Sequence, residues 1–135
     1  MKPKALILRA PGTNCDLETA YAFELAGAEA SLVHMNQMIA GKTSLRECSI
    51  FVLPGGFSYG DDLGAGKVMA NELEQRLREQ VVEFVARGGV ALGICNGFQV
   101  LVRAGLLPSP FSGQRVSLLP NSSGRFECRW VHLSV

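Results

Sequence analysis

An α/β fold built on an open parallel sheet with helices on both faces is what this sequence predicts, and three observations predict it. Short apolar runs of strand length recur at residues 4–9, 30–34, 49–53 and 90–94. The first and third of them carry continuous apolar cores, 5–8 and 50–53, as in strands buried on both faces. Glycine- or proline-marked breaks and stretches of helical spacing separate the runs, which is the pattern of βαβ units.

Composition sets the outer bounds. With 135 residues the chain makes one domain, and 47% hydrophobic with 19% charged residues is ordinary globular composition that argues against disorder. Thirteen basic residues stand against 12 acidic ones for a net charge of +1, without a basic block, so nucleic acid is not an expected partner. No run approaches the roughly 20 apolar residues of a membrane helix, and the apolar run at 5–8 is too short for a signal-peptide core. Cys15, Cys48, Cys95 and Cys128 are scattered, with no Cys-x-x-Cys pair and no His at ligand spacing. They read as reduced thiols of a cytoplasmic protein, three of them structural, with no metal expected.

The elements follow in order. Lys4-Ala-Leu-Ile-Leu-Arg9 is the first strand, ended by Pro11-Gly12. Asn14 or Asp16 is placed to cap a helix carrying Leu17, Tyr21, Ala22, Leu25 and Ala26 at helical spacing and stopping at Gly27. Ala30–His34 is the second strand, followed by a poorly periodic dozen residues. Ser49–Leu53 is the third, breaking at a long glycine-rich loop from Pro54 to Gly66. A helix of about 18 residues comes next, with Leu73, Leu77, Val81, Phe84 and Val85 on its buried stripe and Gly88-Gly89 at its end. Its other face (Glu74, Arg76, Arg78, Glu79, Glu83, Arg87) reads as solvated charge. Beyond Pro110 the pattern changes, and 116–119 and 125–135 look like strands around a polar turn, Pro120–Gly124. A chain ending inside a strand-like stretch suggests a truncated sequence.

The stretch that carries chemistry is Val90-Ala-Leu-Gly-Ile-Cys95-Asn-Gly-Phe-Gln99. Five small or apolar residues run into a cysteine with Gly93 two before it and Gly97 two after, and an amphipathic run follows. This is the cysteine form of the Gly-x-Ser-x-Gly elbow, which holds a nucleophile at a sharp strand-to-helix turn. A side chain there stands clear of the sheet, at the positive end of the helix amides. In open parallel sheets ligands bind at the carboxyl ends of the strands, where both the Cys95 turn and the Pro54-Gly55-Gly56 turn fall. Acyl transfer needs two amide donors for the developing oxyanion, and the N–H groups of Asn96 and Gly56 are the candidates. The competing reading of Cys95 is a buried core thiol, and of Gly55-Gly56 a plain turn. The loop is not a phosphate cradle: five residues past Gly60 stands Ala65, Val68 follows Lys67, and Met69 breaks the alternative glycine spacing. A thiol nucleophile wants a histidine base, yet only His34 and His132 are present and neither is convincing.

Four motifs, Ile94–Gln99, Leu53–Asp61, Pro11–Asp16 and Leu119–Cys128, together resemble the class I (triad) glutamine amidotransferases, and within them the glutaminase subunits of phosphoribosylformylglycinamidine synthase. The resemblance covers essentially the whole chain and implies a flavodoxin-like class I glutaminase fold, incomplete at its C-terminus. It implies that Cys95 attacks the side-chain amide of glutamine, giving a thioester and ammonia, and that water then releases glutamate. Gly56 and Asn96 would form the oxyanion hole, and Gly55, Gly56 and Gln99 would hold substrate. Ammonia would pass to an ATP-dependent synthetase subunit that converts formylglycinamide ribonucleotide to its amidine, with a small accessory subunit as a further partner. ATP and magnesium would belong to that synthetase, leaving this chain without a cofactor. The family's catalytic His and Glu lie well downstream of the cysteine, so the chain is expected to be alkylated at Cys95 more readily than it turns over glutamine. Two alternatives remain: a non-catalytic flavodoxin-like docking module, or a cysteine-elbow hydrolase or chaperone of another α/β family.

Overall fold

The computed structural model describes residues 2–134 and has the expected architecture. Strands β1 (Lys4–Arg9), β2 (Glu29–His34), β3 (Ile50–Leu53) and β4 (Val90–Gly93) are all parallel, in the order β2-β1-β3-β4. From β1 the chain steps outward to β2 and returns on the other side to β3. The carboxyl ends of β1 and β3 are therefore the topological switch point, where loops diverge and leave room for a ligand.

Helix α1 (Asp16–Leu25) packs on β1 and β2, while α5 (Asn96–Arg103) covers β3 and β4 on the opposite face. The main core lies on the α5 side, where Leu6, Leu8, Phe51 and Leu53 meet Leu73, Leu77, Val81, Phe84, Val100 and Leu101. A short helix, α2 (Met35–Ile39), adds Met35 and Met38 to it. The long helix after the glycine-rich loop comprises α3 (Lys67–Glu72), a π-helical turn (Leu73–Leu77) and α4 (Arg78–Ala86). Leu73, Leu77, Val81 and Phe84 are buried as the stripe predicted, and Val85 packs at its margin.

Helix α1 departs from expectation on two counts. Cys15 occupies its N-cap without a side-chain cap bond, so neither Asn14 nor Asp16 caps it; Asp16 is instead buried and ion-paired with Arg9. The side facing the sheet is Asp16, Thr19, Ala20 and Phe23, while Leu17, Tyr21, Ala22, Leu25 and Ala26 are exposed. Helical spacing marks a stripe, but the sheet accepts the side whose small residues and ion pair fit closely against it.

The charged side of α3–α4 is also not wholly solvated. Arg78 donates from Nη1 to the Ala104 carbonyl at 3.0 Å and from Nη2 to that of Pro110 at 3.1 Å, clipping the chain beyond α5 to α4. Arg87 donates to the carbonyls of Leu45 and Cys48 and lies over the Phe84 ring, 5.1 Å from its centroid. A charged donor on a backbone carbonyl is worth about 1.5–3 kcal/mol. Arg78→Ala is thus expected to lower unfolding stability by about 2 kcal/mol, read as a lower urea midpoint at unchanged slope, with alkylation of Cys95 unaffected.

The two C-terminal strands do not form. Residues 114–134 have no strand or helix, and Leu119, Phe126, Trp130 and Leu133 are more than four-fifths exposed; Val135 lies outside the described residues. Extended backbone becomes strand only when a neighbour takes up its N–H and C=O groups, and no described residue offers such a ladder there. The polar turn does form, with the Gly124 N–H on the Asn121 carbonyl at 2.8 Å.

Candidate active site

Three loops meet at the carboxyl edge of the sheet. The loop after β1 is stitched to the loop after β3 by an isolated antiparallel bridge between Thr13 and Gly56. The Phe57 N–H donates to the Gly12 carbonyl at 3.1 Å and the Tyr59 N–H to that of Pro11 at 2.6 Å. The third loop is the Cys95 turn. Gly55 joins it to the others, since a Cβ built on Gly55 would lie 3.5 Å from Cys95 Cβ and 3.7 Å from Cys15 Sγ.

Cys95 is exposed and sits at the N-cap of α5 with φ 52° and ψ −110°. A non-glycine residue held there carries roughly 1–3 kcal/mol of strain and persists only where its surroundings over-determine it. They do so here: the Ile94 N–H is held by the Leu53 carbonyl at 3.0 Å, the Gly97 N–H by Ile94 at 2.9 Å and the Gln99 N–H by Cys95 at 3.1 Å. The flanking glycines answer to close approach. A Cβ on Gly97 would fall 2.0 Å from the Leu53 carbonyl oxygen, and one on Gly93 2.7 Å from that of Gly97. The elbow spacing thus reflects how tightly α5 is pressed onto β3 and β4, leaving the thiol outside.

The two amides expected to receive an oxyanion are unengaged. Among the described residues, neither the Gly56 N–H nor the Asn96 N–H has a hydrogen-bond acceptor. For Asn96 this is the orphan donor of a first helical turn. Gly56 has φ 127°, and a Cβ there would lie 2.3 Å from Asn14 Oδ1 and 2.8 Å from Asn14 N, so the position is held as glycine.

The Asn96 side chain is 3% exposed and fully used. Its Oδ1 accepts from the Ser58 hydroxyl at 2.7 Å and the Ser58 N–H at 3.4 Å, and its Nδ2 donates to Asp61 Oδ1 at 3.0 Å. Gln99, half-buried one turn along α5, has its Oε1 3.5 Å from the same Nδ2.

Neither histidine joins the site. His34 ends β2, the opposite edge of the sheet from β4, roughly 14 Å away across three strand spacings. Its ring is occupied locally, Nδ1 accepting from the Asn36 N–H at 3.1 Å in a capping box closed by Gln37. His132 lies in the exposed C-terminal stretch. Among the described residues no cluster of His, Cys, Asp and Glu could hold a metal ion, and no helix is long and apolar enough to cross a membrane. All four cysteines are free, but the expectation of three structural thiols fits only Cys48. Burial pushes its thiol pKa up against the opposing pull of Arg87. Cys15 borders the site, and Cys128 is exposed.

Comparison with known proteins identifies the arrangement. Residues 2–135 match the family model of the CobB/CobQ-like glutamine amidotransferase domain. The chain belongs to that family. It is 57% identical over 135 residues to the phosphoribosylformylglycinamidine synthase subunit PurQ of Dehalococcoides mccartyi, covering 99% of this chain and 53% of that protein. The PurQ subunit of Thermotoga maritima is 41% identical, with 100% of this chain and 56% of the relative covered. A solved structure of PurLQS from Thermotoga maritima superposes with a TM-score of 0.76 at 40% identity, over 97% of this chain and 54% of that one. This glutamine amidotransferase domain therefore has the class I fold the resemblance implied, and it spans about half the length of the curated relatives it matches.

The sequence reading assigned Cys95, Gly55, Gly56, Asn96 and Gln99 to this edge, and the structure brings all five together. It did not foresee that Gly12 to Asn14 braces Gly56, or that Ser58 and Asp61 grip Asn96. The Pro11-Gly-Thr-Asn14 and Ser58-Tyr-Gly-Asp61 runs were visible as motifs, but nothing local says what they touch.

Proposed function

We propose that this domain hydrolyses glutamine to glutamate and ammonia through a thioester on Cys95. The thiolate attacks the side-chain amide carbon, and the carbonyl oxygen becomes an oxyanion held by the Gly56 and Asn96 N–H groups. Collapse expels ammonia, whose extra proton comes from a general acid, and water then cleaves the thioester to glutamate. Gly55, Gly56 and Gln99 line the substrate position. The observation that carries this reading is the strained, exposed Cys95 standing beside two amide donors with no acceptor of their own. The names of the PurQ relatives and of the PurLQS complex support the further step, that ammonia passes to a synthetase making formylglycinamidine ribonucleotide; in the proposal that synthetase is ATP-dependent and the reaction cytoplasmic. ATP and magnesium act on that synthetase, with a small accessory subunit completing the complex.

Because no histidine stands near Cys95, the acid–base group must come from outside the residues around the elbow. The docking-module alternative leaves the strain at Cys95 without a purpose. Treating the chain with the chloromethyl ketone analogue of glutamine and mapping adducts by mass spectrometry tests the reading. The expected adduct is on Cys95 alone, with glutamine turnover slow by comparison. Labelling of Cys15 in its place, or labelling of Cys95 that excess glutamine does not slow, would sink it.

A further inference from the structure

We infer that Ser58 and Asp61 are positioning residues that set the spacing of the two oxyanion donors through the Asn96 side chain. This rests on the glutaminase reading above. The donors belong to different loops: Gly56 leaves β3, whereas Asn96 opens α5 after β4. Nothing in the backbone pairing of the sheet extends far enough to fix one amide against the other.

The Asn96 carboxamide does so. Its oxygen faces Ser58, two residues beyond Gly56, and its nitrogen faces Asp61 Oδ1, which also accepts the Gly66 N–H at 2.9 Å. One planar amide thus accepts on one edge and donates on the other, locking the loop across the N-terminus of α5. Both Ser58 and Asn96 are 3% exposed, so the bond between them forms out of reach of water, while the one to Asp61 is partly buried. The loop bends to meet them: Tyr59, Gly60 and Asp61 have φ of 53°, 68° and 54°, which turns the Asp61 carboxylate back toward α5. Strain at two non-glycine positions in a row of three is a sign that the contact, rather than the local sequence, dictates the path.

Charge argues that the role of Asp61 is geometric. A carboxylate close to the N-terminus of α5 opposes an oxyanion forming beside it, so catalysis gains nothing from its charge. What the site uses is an oxygen acceptor at the right place. Asparagine supplies one, and it tolerates the left-handed backbone at residue 61.

The test compares two reagents on the intact chain. Iodoacetamide needs only an accessible thiolate, whereas the chloromethyl ketone analogue of glutamine places its ketone oxygen on the oxyanion donors as Cys95 Sγ displaces chloride. In Asp61→Ala and Ser58→Ala the ketone should react about 10- to 100-fold more slowly while iodoacetamide stays within about twofold, as for a donor displaced by around an ångström. Asp61→Asn should restore the ketone rate, and the amide NMR signals of Gly56 and Asn96 should move in Asp61→Ala and return in Asp61→Asn. Equal slowing of both reagents, an unchanged Asp61→Ala, or an Asp61→Asn as slow as the alanine variant would each overturn the inference. If the unsubstituted chain reacts with iodoacetamide but shows no glutamine-protectable reaction with the ketone, the glutaminase reading itself fails, a result separate from any difference among the variants.

Discussion

Gly97→Ala is expected to take the elbow apart. The added Cβ would sit 2.0 Å from the Leu53 carbonyl oxygen and 2.8 Å from Leu53 Cβ. A flexible side chain could move aside, but Leu53 is buried in the central strand β3, and its carbonyl already accepts the Ile94 N–H at 3.0 Å. Relief therefore requires α5 to lift from the sheet, breaking that bond and uncovering Val100 and Leu101. Overpacking typically costs 1–3 kcal/mol, and rigid backbone as the obstacle sets the expected loss at about 3 kcal/mol or more. Thermal unfolding would read this as a clear fall in Tm, and Cys95 would lose its selectivity for a glutamine analogue. Gly27→Ala is the control. Its φ of 90° makes alanine strained, but nothing lies within 4 Å of the new Cβ, so a loss of about 1–2 kcal/mol is expected with the elbow intact. Equal effects at the two positions would show that close packing does not govern the elbow.

Gly56→Ala is expected to abolish most of the reaction with the ketone reagent while leaving the fold in place. The new Cβ meets Asn14 Oδ1 at 2.3 Å and the Asn14 backbone nitrogen at 2.8 Å, and φ 127° is unfavourable for alanine. The residue can escape both only by rotating its peptide, which turns its N–H away from the Cys95 side. Losing one oxyanion donor lowers rates by about 100- to 1,000-fold, or about 2.7–4 kcal/mol. The measurement is the second-order rate with the ketone against that with iodoacetamide, which should change little because thiol access is untouched. A ketone rate within about threefold of the unsubstituted chain would remove Gly56 from the oxyanion hole, since loss of a working donor costs at least about 100-fold.

The elbow shows how much of the site was legible. Gly93-x-Cys95-x-Gly97 is a local signature, because its glycines, cysteine and helix start fall within a few residues, and the Asn96 N–H is free simply because Asn96 opens α5. Gly56 required one further step, that strand ends in a parallel sheet share an edge. The grip on Asn96 was not legible, since Ser58 and Asn96 are 38 positions apart and their bond exists only because β3 and β4 are neighbours. Arg78 misled for the same reason: on a helix side rich in charge, only the return of the chain at Pro110 distinguishes it from its solvated neighbours.

The sequence by itself determined the chain order of the four strands and the main helices between them, the parallel sheet and the cysteine elbow, because apolar runs, glycine breaks and elbow spacing act within a turn or a strand. Tertiary structure alone decided which side of α1 meets the sheet, that residues 114–134 form no strand, and how the loops after β1, β3 and β4 interlock. Those outcomes depend on contacts between distant residues. A pattern can show that a side chain is apolar or able to donate a hydrogen bond, but only packing supplies the partner it meets.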